Sequence, residues 1–115
     1  METLVYDGLL ASDDYITDSG TLVSGQNLKR GAALGKITAS GKLAQLDSTK
    51  SDGTQTPFAI LAADVDASAG DKACPLYVFG AFNQAAVGFT GSDTYATHKN
   101  NFRDVGIFLK SAISA

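Results

Sequence analysis

Apolar residues occur along this chain in short runs that turn residues separate, a pattern that predicts β-strands. The strongest run covers residues 58–66, directly after Pro57, and its near-continuous hydrophobicity predicts a central strand buried on both faces. Residues 72–82 predict a second long strand, in which Pro75 lies near the start, where a missing N–H group does least harm. Residues 106–110 predict a final short strand.

Turn and helix signals separate these strands. Ser40-Gly41 lies between two short apolar runs and predicts a β-hairpin, and residues 48–56 predict an exposed polar loop. Ser92 is a favourable N-cap, and Asp93 in the first turn complements the helix dipole, so one short helix is predicted here. The expected fold class is therefore α+β and mainly β, with one short helix.

The beginning of the chain differs from the rest in charge. Residues 1–28 carry five acidic residues and no Lys or Arg, whereas the remainder carries all nine basic residues against seven acidic ones. Short strands are predicted at residues 3–6 and 15–17, and each needs an outside sheet edge or a neighbouring subunit, because isolated strands are unstable. We therefore expect an N-terminal docking arm, residues 1–27, and a β-rich body, residues 28–115.

Composition argues against two classes of partner. The largest cluster of basic residues is the pair Lys29-Arg30. The phosphate-neutralising patch of a nucleic-acid binder is therefore not expected. No stretch approaches the roughly 20 apolar residues of a membrane helix, and the N-terminus lacks the basic and apolar regions of a secretory signal. We expect no nucleic acid and no membrane as partner, and synthesis in a cytoplasm.

Side chains with catalytic or metal-binding potential are few. Cys74 and His98 are the single Cys and His, so a zinc site within one chain is not expected, and Cys74 is expected in the core. Asp64, Asp66 and Asp71 lie close in sequence, but no DxDxDG loop, neighbouring His or nucleophile accompanies them. We expect strand-end and turn carboxylates there, and no catalytic residue, metal, cofactor or small-molecule substrate.

Several sequence segments follow one another in a recognisable order from Leu28 onward. They are LKRGAALGKI at 28–37, SGKL at 40–43, DGT at 52–54, ILAADVDA at 60–67, LYVFGAF at 76–82 and VGIFL at 105–109. In this order and spacing, over about three-quarters of the chain, they resemble the phage head decoration protein D family, the lambda-like capsid stabilisers.

The resemblance implies a small β-clip-like body with an extended N-terminal arm. It further implies homotrimers that bind the outside of the expanded phage head at local threefold axes and cement neighbouring major capsid proteins. Such a protein is part of the virion and is made in the host bacterial cytoplasm. The arm is expected to order against the major capsid protein, and its strand-like residues are the expected capsid contacts: Leu4, Val5, Tyr6, Tyr15, Ile16 and Thr17.

Two other functions are kept as alternatives. One is a different virion component, such as a carbohydrate-binding spike or a tail protein, which exposed aromatic residues on a concave face would support. The other is a small hydrolase or metal-dependent enzyme that uses Asp64, Asp66 and His98.

Overall fold

The computed structural model describes residues 10–83, 87–88 and 102–110. Eight strands lie in these ranges, and residues 102–104 are helical. The mainly β fold with a short helical segment is therefore confirmed. The strands are β1 (Leu10–Leu22), β2 (Asn27–Leu28), β3 (Ala33–Lys36), β4 (Leu43–Gln45), β5 (Pro57–Leu61), β6 (Val65–Asp66), β7 (Lys72–Asn83) and β8 (Ile107–Lys110).

Six of these strands form one sheet in the order β1-β4-β3-β5-β7-β8. Because β1 also pairs with β7, the sheet closes on itself and is barrel-like. The β3–β4, β3–β5, β5–β7 and β1–β7 pairs are antiparallel, whereas the β1–β4 and β7–β8 pairs are parallel. The two remaining strands, β2 and β6, form a separate antiparallel ribbon.

The hydrophobic core consists of two clusters. The first cluster contains Ala33, Leu46, Ile60, Tyr77, Phe82, Val87, Phe102 and Ile107. The second cluster contains Leu22, Ala32, Leu34, Leu43, Ala59, Leu61, Ala67, Cys74 and Leu76. Strand β5 contributes to both, with Ile60 in the first and its neighbours Ala59 and Leu61 in the second. Alternate side chains of a strand point to opposite faces, so the predicted burial of this strand on both faces is confirmed.

The prediction of one strand over residues 58–66 is wrong in its extent. Strand β5 ends at Leu61, and β6 pairs with β2 instead of continuing in the main sheet. Between them, the Asp64 carboxylate accepts a hydrogen bond from the Arg30 N–H group at 2.8 Å. The Asp64 side chain thus bonds to the backbone of another segment of the chain, an alternative to the hydrogen bonds of a strand.

The other strand predictions in the described ranges agree with the structure. The hairpin at Ser40-Gly41 joins β3 to β4, and Gly41 has the positive φ of 75° that its turn requires. Strand β7 covers the predicted run at residues 72–82, and β8 covers most of the run at 106–110. The predicted helix start at Ser92 lies outside the described residues, as does the predicted strand at residues 3–6.

At position 35 in β3, the polar loop at residues 48–56 comes so close to the strand that only glycine fits. The loop passes over Gly35 so closely that a Cβ atom there would lie 2.5 Å from the Thr54 Cα atom. Thr54 is itself buried, with its hydroxyl donating to the Asp52 carboxylate at 2.6 Å. Only glycine leaves room for this packing, and β3 is therefore joined to the loop as well as to its neighbouring strands.

Substitution of this glycine is expected to destabilise the fold. We expect Gly35→Ala to lower the free energy of unfolding by about 1–3 kcal/mol, the usual cost of overpacking, because the contact is with backbone that has to shift. Gly70→Ala is the matched control, since a Cβ atom at Gly70 meets nothing within 4 Å. Urea unfolding of the two variants measures the difference, and equal midpoints would contradict the close approach.

Candidate docking site

The predicted docking strand at residues 15–17 is part of β1, and β1 pairs with β7 of the same chain. The ladder runs from Tyr15 opposite Gly80 to Leu22 opposite Lys72. The expectation that this segment needs an outside edge to become a strand is therefore wrong, because β7 supplies one. Strand β1 ends on Leu22, which is fully buried, so core contacts begin before residue 27.

One irregularity in the β1–β7 ladder decides which side chains face outward. Ile16 lies opposite Phe79 and Thr17 lies opposite Tyr77, so Val78 is an additional residue in β7. Such a bulge changes the alternation of side chains along the strand. As a result, Tyr77 is buried in the first cluster, whereas Phe79, two positions later, is 41% exposed.

Tyr15 lies on the inner side of this sheet. Its ring packs edge to face against Tyr77, with the ring centroids 5.3 Å apart, and it contacts the first cluster. The Tyr77 hydroxyl in turn accepts a hydrogen bond from Arg30 Nη1 at 2.7 Å. Of the expected contact residues on β1, Tyr15 thus packs in part inside the body, and it anchors β1 to the core.

Ile16 lies on the opposite side and belongs to an exposed apolar surface. The Ile16 residue is 56% exposed, and its partner Phe79 packs edge to face against Phe108 of β8, with ring centroids 6.1 Å apart. Val105, just before β8, is 38% exposed. We call these four residues, Ile16, Phe79, Val105 and Phe108, the outer apolar patch. Scattered exposed apolar residues are ordinary, but three of these four are joined, Ile16 to Phe79 by strand pairing and Phe79 to Phe108 by ring contact, which is typical of a binding surface.

Gly106 holds Phe79 in place in this patch. It has a positive φ of 87°, and a Cβ atom there would lie 2.9 Å from Cδ2 of the Phe79 ring. The Gly106 carbonyl accepts a hydrogen bond from the Gly80 N–H group at 3.1 Å. The Phe79 ring therefore lies directly over backbone, and its exposed position follows from the β7–β8 packing.

Strand β1 also has an open edge. Within the described part of the chain, β4 pairs with β1 only at Leu22, and no other described strand pairs with the edge of residues 16–21 that faces away from β7. Thr17 and Asp18 are exposed on this segment. A strand edge of this length is a template for pairing with a further strand. Asp13, Asp14 and Asp18 make β1 acidic, and the strand contains no Lys or Arg.

The structure brings together only part of the expected contact set. Ile16 and Thr17 are exposed next to each other on β1, and Tyr15 is half-buried behind them. Leu4, Val5 and Tyr6 lie outside the described residues. Phe79, Val105 and Phe108 were missed in the sequence, because they lie in apolar runs typical of core strands. The glycine at 106 is one signal of a close approach between backbone and a side chain, which the structure shows to be that of Phe79.

The carboxylates considered for catalysis or metal binding each have a separate structural partner. Asp64 caps the Arg30 N–H group, Asp66 accepts hydrogen bonds from Ser68, and Asp71 accepts a short hydrogen bond from Lys42. Among the described residues, no three His, Cys, Asp or Glu side chains are close enough to hold a metal ion. Nor does any helix in the described ranges have the length and hydrophobicity to cross a membrane.

The hydrogen bonds to Asp71 favour its ionised form. The Lys42 side chain donates at 2.6 Å and the Ser24 N–H group at 2.8 Å, and together they hold the pKa of Asp71 below its ordinary value. Donation by the Thr54 and Ser68 hydroxyl groups lowers the pKa values of Asp52 and Asp66 in the same way. Asp71 thereby connects the segment before β7 to Ser24 after β1 and to Lys42 before β4, whereas Asp52 and Asp66 each bond two residues ahead within their own turn.

The lowered pKa values of these aspartates predict that the folded state is less stable in acid. A carboxylate whose folded pKa is depressed contributes stability above its unfolded pKa, near 3.9, and loses it as the pH falls through the folded pKa. We therefore expect the free energy of unfolding to fall below about pH 4. Lys42→Met is expected to lower stability at neutral pH and to make this fall shallower, because Asp71 loses its main donor.

Lys29→Met provides the matched control for this prediction. The Lys29–Asp64 pair is longer, at 3.9 Å, and both side chains are largely exposed, so its contribution is small. Chemical unfolding from pH 7 to pH 2.5 measures both variants. An unchanged pH profile for Lys42→Met would contradict the role of Asp71.

Two further features are a buried cysteine and a surface groove. Cys74 is buried at the β1–β7 pairing, opposite Gly20, and burial raises the pKa of its thiol, as expected for a core cysteine. A surface groove of about 520 Å³ is lined in part by Ile37, Ala44 and Gln45. The Gln45 N–H group already donates to the Gln26 side chain at 3.1 Å, which is one of the polar groups lining this groove.

Together, the described residues form a small β-barrel-like body in which an exposed apolar patch lies beside an edge of β1 that no described strand occupies. The family model for bacteriophage lambda head decoration protein D matches residues 2–107 of the 115-residue chain, and the chain therefore belongs to this family. A search of curated proteins found no match. The protein is thus a structural component of the phage head that binds the capsid, in a family whose members are generally not enzymes.

Proposed function

We propose that this protein binds the outside of the expanded phage head as a homotrimer at local threefold axes and cements neighbouring major capsid proteins. The observation that carries the proposal is the family match over residues 2–107. The open acidic edge of β1 supports it, because an edge strand can pair with a strand of another protein without rearrangement of the body. The match is to a head protein and favours neither a spike nor a tail component nor an enzyme.

The stabilising action follows from selective binding. A protein that binds the assembled and expanded shell, but not separated or unexpanded subunits, shifts the equilibrium towards the expanded shell by mass action. In a trimer three docking segments act together, and each contact after the first forms at a high effective concentration. Modest individual contacts then combine into strong attachment. We propose that trimers made in the host bacterial cytoplasm attach after the head has expanded.

The docking segment has two parts in this proposal. Leu4, Val5 and Tyr6 precede β1 and supply apolar anchors, while Ile16 and Thr17 lie at the exposed edge of β1. Strand addition at this edge forms backbone hydrogen bonds, and the side chains of the added strand provide specificity. Tyr15 acts differently, because its contact with Tyr77 holds β1 on the body while the edge is occupied.

Replacement of the three anchors at the start of the chain tests the proposed function. The triple variant Leu4→Ser, Val5→Ser, Tyr6→Ser keeps the chain length, the charge and all of β1. We expect it to bind expanded heads at least tenfold more weakly than the unchanged protein, since removal of a buried interface anchor commonly costs about 1.4 kcal/mol or more. Sedimentation of heads with bound protein measures affinity, and light scattering measures the oligomer.

Each outcome of this experiment bears on a different part of the proposal. Equal binding by the triple variant would contradict the role of the first residues. Failure of the unchanged protein to bind expanded heads, or equal binding to unexpanded heads, would overturn the cementing function. A monomeric mass for the unchanged protein both in solution and on the head would contradict the trimer. Thr38→Ser, a conservative change in an exposed turn, controls for non-specific loss.

A further inference from the structure

We propose that the outer apolar patch is a second, preformed docking surface, which takes an extended segment of the capsid protein that carries both apolar and basic side chains. This inference rests on the proposed function and adds to it the residues Phe79, Val105 and Phe108. The docking surface then extends from the edge of β1 across β7 to β8. It is part of the folded body and is separate from residues 1–9.

The first argument is the rigidity of the patch. Phe79 is paired to Ile16 across the β1–β7 ladder, lies over Gly106 and packs against Phe108. Three neighbouring elements therefore determine its position before any partner binds. Rigid exposed aromatic residues are effective interface anchors, because little side-chain entropy is lost when they are covered.

The second argument is continuity with the open edge of β1. A strand that adds to this edge continues the plane of the sheet. Its alternate side chains then lie beside Ile16, and long ones reach towards Phe79, the neighbour of Ile16 on β7. The same partner segment can thus form backbone hydrogen bonds with β1 and cover the nearest part of the patch.

The third argument is charge complementarity. Asp18 is exposed and lies two residues after Ile16, hence on the same face of β1. Strand β1 contains two further aspartates and no basic residue, and the whole chain has a net charge of −3. A second copy that placed its own β1 against this β1 would bring the same acidic strand and would be repelled. A segment with Lys or Arg beside its apolar residues is attracted instead.

The double variant Phe79→Thr, Phe108→Thr tests this surface directly. Threonine retains strand propensity while it removes the aromatic rings. With expanded heads of the phage that encodes this chain as the probe, we expect binding at least tenfold weaker than that of the unchanged protein, and an unchanged oligomeric mass. Phe58→Thr is the matched control, because Phe58 is half-buried on β5, below the Lys36 ammonium group, and is not part of the patch.

Circular dichroism and thermal unfolding show whether the double variant folds. If it does not, Val105→Ser replaces it, since Val105 lies in the turn between the helical residues and β8 and has no strand partner. Binding equal to that of the Phe58→Thr control would overturn the inference. Loss of the oligomer together with binding would also overturn it, because the patch would then be the contact between copies.

The charge of the partner is tested separately. We expect Asp18→Lys to weaken binding to the same heads by at least threefold at low salt, and to reduce the dependence of binding on NaCl concentration. Equal or tighter binding by Asp18→Lys would contradict a basic partner. In all of these assays, the unchanged protein shows whether the proposed function itself holds. If only the inference about the patch is wrong, the unchanged protein still binds expanded heads.

Discussion

The pairing of β1 with β7 is the interaction on which the rest of this structure depends. It connects the first strand to the longest later one and closes the sheet into a barrel-like form. Leu22 enters the second core cluster through this pairing, and Tyr15 reaches the first cluster. The single additional residue Val78 then turns Phe79 outward. Core formation and surface chemistry thus both depend on this ladder and on the bulge at Val78.

The pairing of β1 with β7 affects the entropy that a decoration protein would lose when it binds a capsid. A docking element that is wholly unstructured loses conformational entropy when it binds. Here residues 15–22 are already ordered on the body, so a partner strand at their edge meets a preformed template. The outer apolar patch lies beside that template on the same rigid sheet. In the proposed function, the body therefore takes part in docking together with residues 1–9.

Local sequence signals were sufficient for much of the fold. The hairpin at Ser40-Gly41, strand β7 and the last strand followed from turn residues and apolar runs. Residue types predicted strand-end and turn carboxylates at Asp64 and Asp66, and in the structure Asp66 bonds to Ser68 two residues ahead, whereas Asp64 bonds to the Arg30 N–H group. The family was apparent from the order of the segments, and the family match over residues 2–107 confirms it.

Long-range pairing was not predictable in the same way. The alternation of residues 15–17 indicates a strand, but it does not indicate whether the partner is β7 or another protein. Phe79 lies in a continuous apolar run, where periodicity cannot tell which face a residue occupies once a bulge intervenes. Strand β5 ends at Leu61, and Asp64 beyond it bonds to the N–H group of Arg30, which is distant in sequence. These features depend on contacts between segments, and the hydrophobic pattern within one segment does not predict such contacts.

Amide hydrogen exchange of the free protein in solution tests the central claim most directly, namely that β1 belongs to the folded body before any capsid is present. The β1–β7 ladder predicts that protected amides in residues 16–22 exchange about as slowly as those in residues 72–79, because both open in the same unfolding event. Exchange of residues 16–22 at the rate of an unstructured peptide, with β7 still protected, would contradict the account.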